Sequence, residues 1–487
     1  MTLGEKALGG FFWTLTSNIG LKSVTLIVNI VLARLLVPED FGLVAMLMIF
    51  FAVSQSFVES GFSQALIREK ELTEKDKATT FYLNVIIAVV CYLLLWIAAP
   101  KIASFYNNEK LIALTRFMGL SIVFQSFYIV QQATLTHALN FKKITIVSLT
   151  ASVLSSVIAV VMAYQNLGVW ALAVKYVSFS LIAAILFYVV NPWYPRASFS
   201  RQSYHRLFGF GSKLLLSGLL DTFYQNIYNL IIGKYYSAAT LGYYAQAKMY
   251  VDQATQTSTS TLQTVTYPIL SQTKDDLERL RSSHKRIIMA SSYIIFPMTI
   301  GLAVLAEPLI MTFVGEKWKG AIPLVQILCV SEILYHLHAI NLNLLKVMGR
   351  SDLFLKLEVI KKINTTIAIL IGIKFGLWGL LIGSVVNSYV ALFINMYYTH
   401  RLVQYSYREQ IADLLPVVLH TLPMLLLLYL FVNYITLPHM VMLIIGLLLG
   451  VISYFGFTYV IKSRALVYIM ELLSHKVRFL KRVKLNS

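Results

Sequence analysis

Long apolar stretches recur along the whole chain and are separated by short polar connections. A helix needs about 20 predominantly apolar residues to cross the hydrocarbon core of a bilayer, and the stretches reach that length. They lack the period-two alternation of apolar and polar residues that is typical of a membrane barrel. Because backbone groups in lipid must pair within their own segment, the pattern predicts transmembrane helices.

The predicted fold is an all-α integral membrane protein with about fourteen spans, whose ends are placed to within a few residues. The spans are assigned to residues 11–35, 41–66, 79–99, 111–136, 144–165, 168–190, 206–235, 241–269, 286–306, 320–346, 353–374, 376–398, 413–434 and 438–461. The connections between them are too short for a soluble catalytic domain or a large external loop.

Composition agrees with a membrane protein: of 487 residues, 58% are hydrophobic and only 13% are charged. Cys91 and Cys329 both lie inside apolar runs and far apart, which predicts packing residues and neither a disulfide framework nor a thiolate metal site. The short N-terminal segment leads directly into the first span without a small-residue cleavage site, so we do not expect a cleaved signal peptide.

The formal net charge of +19 would also suit a nucleic-acid-binding protein, but the positions of the cations argue against such a partner. Most of them flank the spans, in the connections that follow even-numbered spans. Examples are Arg68, Lys142, Arg201 and Arg281. By the positive-inside rule these connections and both termini are cytoplasmic. The basic tail after the last span would lie against anionic lipid heads, so membrane lipids are expected partners.

An internal repeat relates the two halves of the sequence. A shift of 200 residues aligns 29–42 with 229–242, and a shift of 208 aligns Pro100 and Phe105 with Pro308 and Phe313, and 168–170 with 376–378. Six spans in each half would make the repeat parallel, which is typical of alternating-access transporters that bind substrate between two bundles. The predicted domains are a lobe over 1–198, a second lobe over 199–402, two extra spans over 403–461 and a basic tail over 462–487.

Polar side chains recur every three or four residues in the first, seventh and eighth spans, which places them on one face of each helix. Such residues are costly in lipid and usually face a cavity. Candidate substrate-binding residues are Asn18, Lys22, Asn29, Lys213, Gln225, Lys248 and Gln256. Candidate ion-coupling residues are Glu59, Asp221 and Asp252.

Structural interpretations of the same residues stay open at this point. Lys22 and Lys213 could extend to an interface, and Lys248 with Asp252 could form a structural ion pair. The carboxylates of Glu59 and Asp221 could simply be hydrogen-bonded to a neighbouring helix. In the tenth span, His336 and His338 are two residues apart, which favours packed polar residues over metal ligands; Glu332 precedes them.

We find no phosphate-binding P-loop, closely spaced His and Cys cluster or nucleophile elbow in the sequence. We therefore expect neither an enzyme nor a bound cofactor or metal, apart from H⁺ or Na⁺ as a coupling ion.

The segments 32–44, 268–271, 313–318 and 322–329, read in order, resemble the polysaccharide transporter family. They are most similar to its colanic-acid and teichuronic-acid exporter branch, the Wzx-type flippases of the multidrug/oligosaccharidyl-lipid/polysaccharide superfamily. The resemblance covers residues 1 to about 410.

This resemblance implies two six-helix lobes around a central cavity, with two extra C-terminal spans. It also implies a bacterial inner-membrane flippase for oligosaccharides on undecaprenyl diphosphate, in surface polysaccharide biosynthesis. Further implied partners are the polysaccharide polymerase and chain-length machinery. Lys22 and Lys248 would correspond to cavity cations of related flippases, whereas the second span offers only Glu59 where those have a cation.

Two other functions fit less well. A cation-coupled multidrug antiporter shares the superfamily fold but would be expected to have a predominantly acidic, aromatic cavity, whereas these spans place lysines beside the carboxylates. A membrane glycosyl polymerase or ligase would be expected to have a large external loop that carries Arg or His.

Overall fold

The computed structural model describes residues 3–59, 62–69 and 71–468. Within these ranges the regular secondary structure is helical, with 3₁₀ turns at Glu316–Ala321 and Ile373–Phe375. The helices are α1 Leu3–Leu35, α2 Pro38–Val58, α3 Phe62–Arg68, α4 Glu74–Tyr106, α5 Lys110–Met118, α6 Leu120–Ser126, α7 Ile129–His137, α8 Phe141–Tyr164, α9 Val169–Val190, α10 Arg201–Tyr235, α11 Ala238–Gln272, α12 Leu277–Val304, α13 Ala306–Phe313, α14 Ile322–Glu332, α15 Tyr335–Val347, α16 Ser351–Gly372, α17 Gly376–Val403, α18 Tyr407–Tyr434 and α19 His439–Val460.

Ten segments of the described residues are long and apolar enough to cross a membrane. One of them, residues 351–403, contains both α16 and α17. The helices α1, α10 and α11, on which the polar stripes were predicted, fall outside these ten. The prediction of an all-α, multi-pass membrane protein is confirmed, while the number of fourteen crossings stays a prediction.

Three predicted spans are each divided into shorter helices, although segments within all three are long and apolar enough to cross a membrane. The span at 41–66 divides into α2, which ends at Val58, and α3, which begins at Phe62. The span at 111–136 divides into α5, α6 and α7, and the span at 320–346 divides at Ile333 and Leu334 into α14 and α15. Breaks of one to three residues hardly change the apolar content of a window of about 19 residues, so hydropathy does not reveal them.

The helix ends support the internal repeat. The helices α1 and α10 end at Leu35 and Tyr235, and α2 and α11 begin at Pro38 and Ala238. Gly168 and Gly376, which the repeat also aligns, have φ angles of 54° and 74° at the starts of α9 and α17. Glycine adopts this left-handed backbone without the steric penalty that other residues meet, which explains its presence at both turns.

Two compact units make up the chain, Met1–Ala245 and Gln246–Ser487, and their boundary lies inside α11. The helix α10 belongs to the first unit, where it packs against α2, α3 and α4. The repeat assigned α10 to the second lobe, so the predicted lobes and the compact units divide the chain at different places. The lobe boundaries at 198 and 402 stay a prediction.

In the first unit, α2 and the start of α11 cross at two glycines. A Cβ atom built on Gly42 would lie 1.7 Å from the carbonyl oxygen of Ala238, and one built on Gly242 would lie 1.8 Å from that of Pro38. Small residues allow this close backbone approach in membrane helices. The contact is reciprocal, since the repeat aligns Gly42 with Gly242.

In the second unit, aromatic residues join α12 to α19. The hydroxyl of Tyr454 donates to the carbonyl of Tyr293 at 2.9 Å, and the hydroxyl of Tyr293 lies 2.6 Å from that of Thr458. All three side chains are almost completely buried. These bonds fix the position of α19 against α12, and the same core includes Phe296, Leu337 and Leu344.

A buried amide links three helices of the second unit. Oδ1 of Asn341 on α15 accepts from the hydroxyl of Thr399 on α17 at 2.9 Å and lies 3.1 Å from Nε2 of His284 on α12. We expect Asn341→Leu to lower the free energy of unfolding by about 1–3 kcal/mol, because two buried partners lose a hydrogen bond. Thermal unfolding in detergent measures this change.

Asn433→Leu is the matched control for that prediction. The Asn433 side chain is exposed on α18 and donates only to the carbonyl of Tyr429 in its own helix, at 2.8 Å. A loss of stability in Asn433→Leu as large as that in Asn341→Leu would contradict a specific role for the interhelical bonds.

Candidate functional site

The predicted substrate-binding residues lie on three long helices. Lys22 and Asn29 are half-buried on α1, Gln225 is exposed on α10, and Gln256 is half-buried on α11. The side chains of Asn18 and Lys213 lie outside the part of the chain that the structure describes. Asp221, predicted as an ion-coupling residue, is exposed on α10. The roles predicted for these residues stay predictions.

In the second unit, Lys248 and Asp252 form an ion pair on α11. Nζ of Lys248 lies 3.1 Å from Oδ1 of Asp252, and both side chains are about 30% exposed. Glu332 on α14 is within Coulombic range of both groups. The contact fits the interpretation that Lys248 and Asp252 form a structural ion pair, because the carboxylate offsets the lysine charge. Whether Lys248 also attracts a phosphate stays a prediction.

The histidines of α15 bind different neighbours. Nε2 of His336 lies 2.9 Å from the hydroxyl of Ser292 on α12. His338 contacts α17, with Nδ1 at 2.9 Å from the Asn395 amide and Nε2 at 3.3 Å from the Ser388 hydroxyl. The two imidazoles therefore point to different helices, as their spacing predicted, and contribute to packing within the second unit.

A polar cavity of about 430 Å³ lies in the first unit, next to Glu59. Ser56 and Glu59 from α2, Ser63, Gln64 and Ile67 from α3, Ile129, Gln132, Ala133 and Thr136 from α7, and Leu215 and Gly218 from α10 line it. Its size is within the range of small-molecule sites, about 300–1,000 Å³. Hydroxyl, amide and carboxylate groups line one part of it, and apolar side chains line the rest.

The end of α2 positions the carboxylate. Glu59 is the C-cap residue of α2, and its backbone N–H donates to the carbonyl of Gln55. Oε1 of Glu59 accepts from Nε2 of Gln55 at 2.8 Å and from Nε2 of Gln125 at 2.7 Å. Among the described residues, no donor contacts the second oxygen, Oε2. One oxygen is thus held in place by two amides, and the other can accept a hydrogen bond from a ligand.

A hydroxyl pair joins the helices beside the cavity. Oγ of Ser56 on α2 lies 2.9 Å from Oγ1 of Thr222 on α10. On the other side, the His137 side chain at the end of α7 contacts the carbonyl of Glu69 at 2.9 Å, which ties α7 to the segment after α3. The walls of the cavity are therefore connected by side-chain hydrogen bonds as well as by packing.

The lining is suited to a neutral, hydroxyl-rich ligand. Amide and carboxylate groups exchange hydrogen bonds with hydroxyls, and no Lys or Arg is among the lining residues that the structure describes. Sequence reasoning identified Glu59 but missed Ser63, Gln64, Gln132 and Thr136. A signal was available, since Gln132 and Thr136 are four residues apart, which is the same spacing as Gln55 and Glu59.

Known proteins that resemble this chain in sequence include polysaccharide biosynthesis proteins. Residues 31–323 match the family described as "Polysaccharide biosynthesis protein". The chain is similar to the teichuronic acid biosynthesis protein TuaB of Bacillus subtilis, with 24% identity over 72% of this chain and 73% of TuaB. It is also similar to the lipopolysaccharide biosynthesis protein WzxC of Escherichia coli, with 26% identity over 85% of each chain.

The fold is similar to a solved structure of the lipid II flippase MurJ in an inward closed conformation. The TM-score is 0.76 with 13% identity, and the alignment covers 93% of this chain and 98% of that one. At this level of identity the similarity concerns the fold.

Proposed function

This chain belongs to the polysaccharide biosynthesis protein family, and we propose that it is a flippase for lipid-linked oligosaccharides. Its substrate would be an oligosaccharide repeat unit on undecaprenyl diphosphate. The protein would move this unit from the cytoplasmic to the outer leaflet of the bacterial inner membrane, where a polymerase and chain-length machinery would use it. No bond of the substrate changes in this process, so the activity is transport and not catalysis.

The observation that carries the proposal is the cavity around Glu59. A glycan cannot cross a hydrocarbon core without replacing the hydrogen bonds that it makes with water. The cavity offers such replacements within a bundle of membrane helices, at Oε2 of Glu59 and at the side chains of Gln64 and Gln132. The family and the names of the similar proteins support the same substrate class.

The finer features of the architecture belong to the same proposal. Fourteen crossings follow if the polar helices α1, α10 and α11 also span the membrane and border a hydrated pathway. The distribution of cations would then place both termini in the cytoplasm. Rocking of two repeat-related lobes would alternate access, with H⁺ or Na⁺ as the ion that biases the cycle. Glu59, Asp221 and Asp252 remain the residues proposed to respond to that ion.

The test is complementation in the native host. After deletion of the gene, we expect the lipid-linked repeat unit to accumulate on the cytoplasmic leaflet and surface polysaccharide to be lost. We expect Glu59→Gln to export about tenfold less than wild type at equal protein level, because an amide N–H donor replaces one of the two acceptor oxygens. Surface polysaccharide and the leaflet position of the lipid are the two measurements.

Glu109→Gln provides the matched control, because Glu109 is exposed after α4 and lies outside the cavity. Its export should equal that of wild type. Normal export by Glu59→Gln would contradict the assignment of the cavity but not the transport function. Unchanged surface polysaccharide after deletion, in a host with no redundant transporter, would contradict the flippase itself, and a drug-accumulation assay would then test the multidrug alternative.

A further inference from the structure

A second polar site lies in the second unit, in a cleft of about 480 Å³ at one end of α12. Four cationic side chains line it, Lys285 and Arg286 from α12 and Lys462 and Arg464 from the segment after α19. Ser282, Met289, Val467 and Tyr468 complete the lining. The cleft thus combines four positively charged side chains with an apolar floor, formed by Met289 and Val467.

Hydrogen bonds hold the walls of the cleft in a fixed geometry. α19 ends at Val460, and the N–H of Ser463 donates to the carbonyl of Thr458 at 2.9 Å, which turns the chain at Lys462 with a φ of 50°. Ser463 is buried, and its hydroxyl lies 3.3 Å from Nδ1 of His420 on α18. Ala465, also buried, packs in the core with Tyr293 and Tyr454. The segment that carries Lys462 and Arg464 is therefore anchored to the bundle.

Only part of the positive charge is offset. Lys285 lies 2.9 Å from Asp413 on α18, and Tyr405 donates to the same carboxylate at 2.7 Å. Burial, followed by this hydrogen bond, raises the pKa of the Tyr405 phenol, which stays a neutral donor. Arg286 lies over the ring of Tyr468 at 4.9 Å. Lys462 and Arg464 are exposed, and the described residues include no partner for either charge.

The cations lie where the hydrocarbon core would end. In α12 the apolar run begins directly after Arg286, with Ile287 and Ile288. In α19 the apolar run ends at Val460 and Ile461, directly before Lys462. Lipid phosphates occupy this level of a bilayer, and basic side chains between membrane helices on the cytoplasmic side bind anionic head groups.

We propose that this cleft binds the head group of an anionic phospholipid, with the phosphodiester between Arg286, Lys462 and Arg464 and the acyl chains along α12 and α19. The charge of the cleft matches an anion, and the apolar floor at Met289 and Val467 matches the glycerol and the first methylene groups. The ligand is a resident lipid of the cytoplasmic leaflet and not the transported substrate, so the site does not depend on the proposed flippase activity.

The test compares lipids and variants on the full-length protein in neutral detergent, with native mass spectrometry and lipid titration. The probes are phosphatidylglycerol, phosphatidylcholine and inorganic phosphate. The cleft variant combines Lys462→Asn with Arg464→Gln, since asparagine tolerates the left-handed backbone at 462. The control combines Lys75→Gln with Arg201→Gln, which removes two exposed cations from the same predicted membrane face in the first unit.

We expect wild type and the control to retain one phosphatidylglycerol that the cleft variant loses, with an apparent dissociation constant at least about tenfold higher in the variant. Phosphatidylcholine should bind weakly to all three proteins, and millimolar inorganic phosphate should not displace the lipid. Equal binding of both lipids would overturn the proposal, as would unchanged lipid binding in the cleft variant. Equal affinity for inorganic phosphate would identify a simple anion site instead. The thermal midpoint of the cleft variant, measured in parallel, shows that its fold is intact.

Discussion

Replacing Gly42 with alanine will destabilise the protein far more than the same substitution at a helical glycine with open surroundings. The new Cβ would lie 1.7 Å from the carbonyl oxygen of Ala238, well inside van der Waals contact, and the obstacle is backbone that cannot rotate away. The helices α2 and α11 must separate, which we expect to lower the free energy of unfolding by about 3 kcal/mol or more. Thermal unfolding and the yield of monodisperse protein in detergent measure this effect.

Two further glycines make the experiment specific. Gly242→Ala should show the same loss, since its Cβ would lie 1.8 Å from the carbonyl oxygen of Pro38. Gly301→Ala is the control, because among the described residues no heavy atom beyond the neighbouring backbone of α12 lies within 4 Å of its Cβ position. Alanine there should be neutral or stabilising by up to about 1 kcal/mol, from its better helix propensity. Equal midpoints for Gly42→Ala and Gly301→Ala would show that the helices do not cross this closely.

Replacing Asp76 with alanine will also lower the stability of the protein strongly. The Asp76 carboxylate is completely buried at the start of α4. Oδ1 accepts from Arg206 of α10 at 2.5 Å, and Oδ2 accepts from the hydroxyl of Thr73 at 2.7 Å. The Thr73 hydroxyl in turn accepts from the N–H of Asp76 at 3.2 Å, which completes a capping box. The alanine variant loses the carboxylate half of the capping box and the contact between α4 and α10 together.

The expected decrease in the free energy of unfolding for Asp76→Ala is about 2–4 kcal/mol, since the charge-assisted bond from Arg206 and the bond from the Thr73 hydroxyl are both removed. Chemical or thermal unfolding in detergent provides the measurement. Asp275→Ala is the control, because Asp275 is an exposed carboxylate in the connection between α11 and α12. An unfolding midpoint for Asp76→Ala within error of that of Asp275→Ala would show that the carboxylate does not hold α4 and α10 together.

Hydropathy predicted much of the fold because every helix that crosses a membrane needs a long apolar segment. It could not reveal the end of α2 at Val58, because a helix end within a membrane depends on a few backbone hydrogen bonds and not on apolar content. Ser63 and Gln64 belong to the separate helix α3 and line the cavity together with Glu59.

The candidate site was predictable where it rested on spacing within one helix. Glu59, predicted as an ion-coupling residue, lines the cavity, and Lys248 forms with Asp252 the ion pair that was one of its two open interpretations. Gln125 could not be found in this way, because its contact with Glu59 joins residues that are far apart in sequence. Likewise, the cleft around Lys285 and Arg464 depends on α12 packing beside the segment after α19, which no local pattern encodes.

The end of α2 at Val58 also distinguishes the two copies of the repeat. If the shift of 200 residues continues beyond Gly42, Glu59 corresponds to Thr259, which lies within the helix α11. There the Thr259 hydroxyl donates to the carbonyl of Thr255 in its own helix at 2.7 Å, and the side chain is buried. The helix α11 thus continues through this position and its threonine satisfies its own hydrogen bond, while α2 ends beside a carboxylate that lines the cavity. The side chain at this position therefore lines a cavity in the first helix, whereas in the second it forms a hydrogen bond within its own helix.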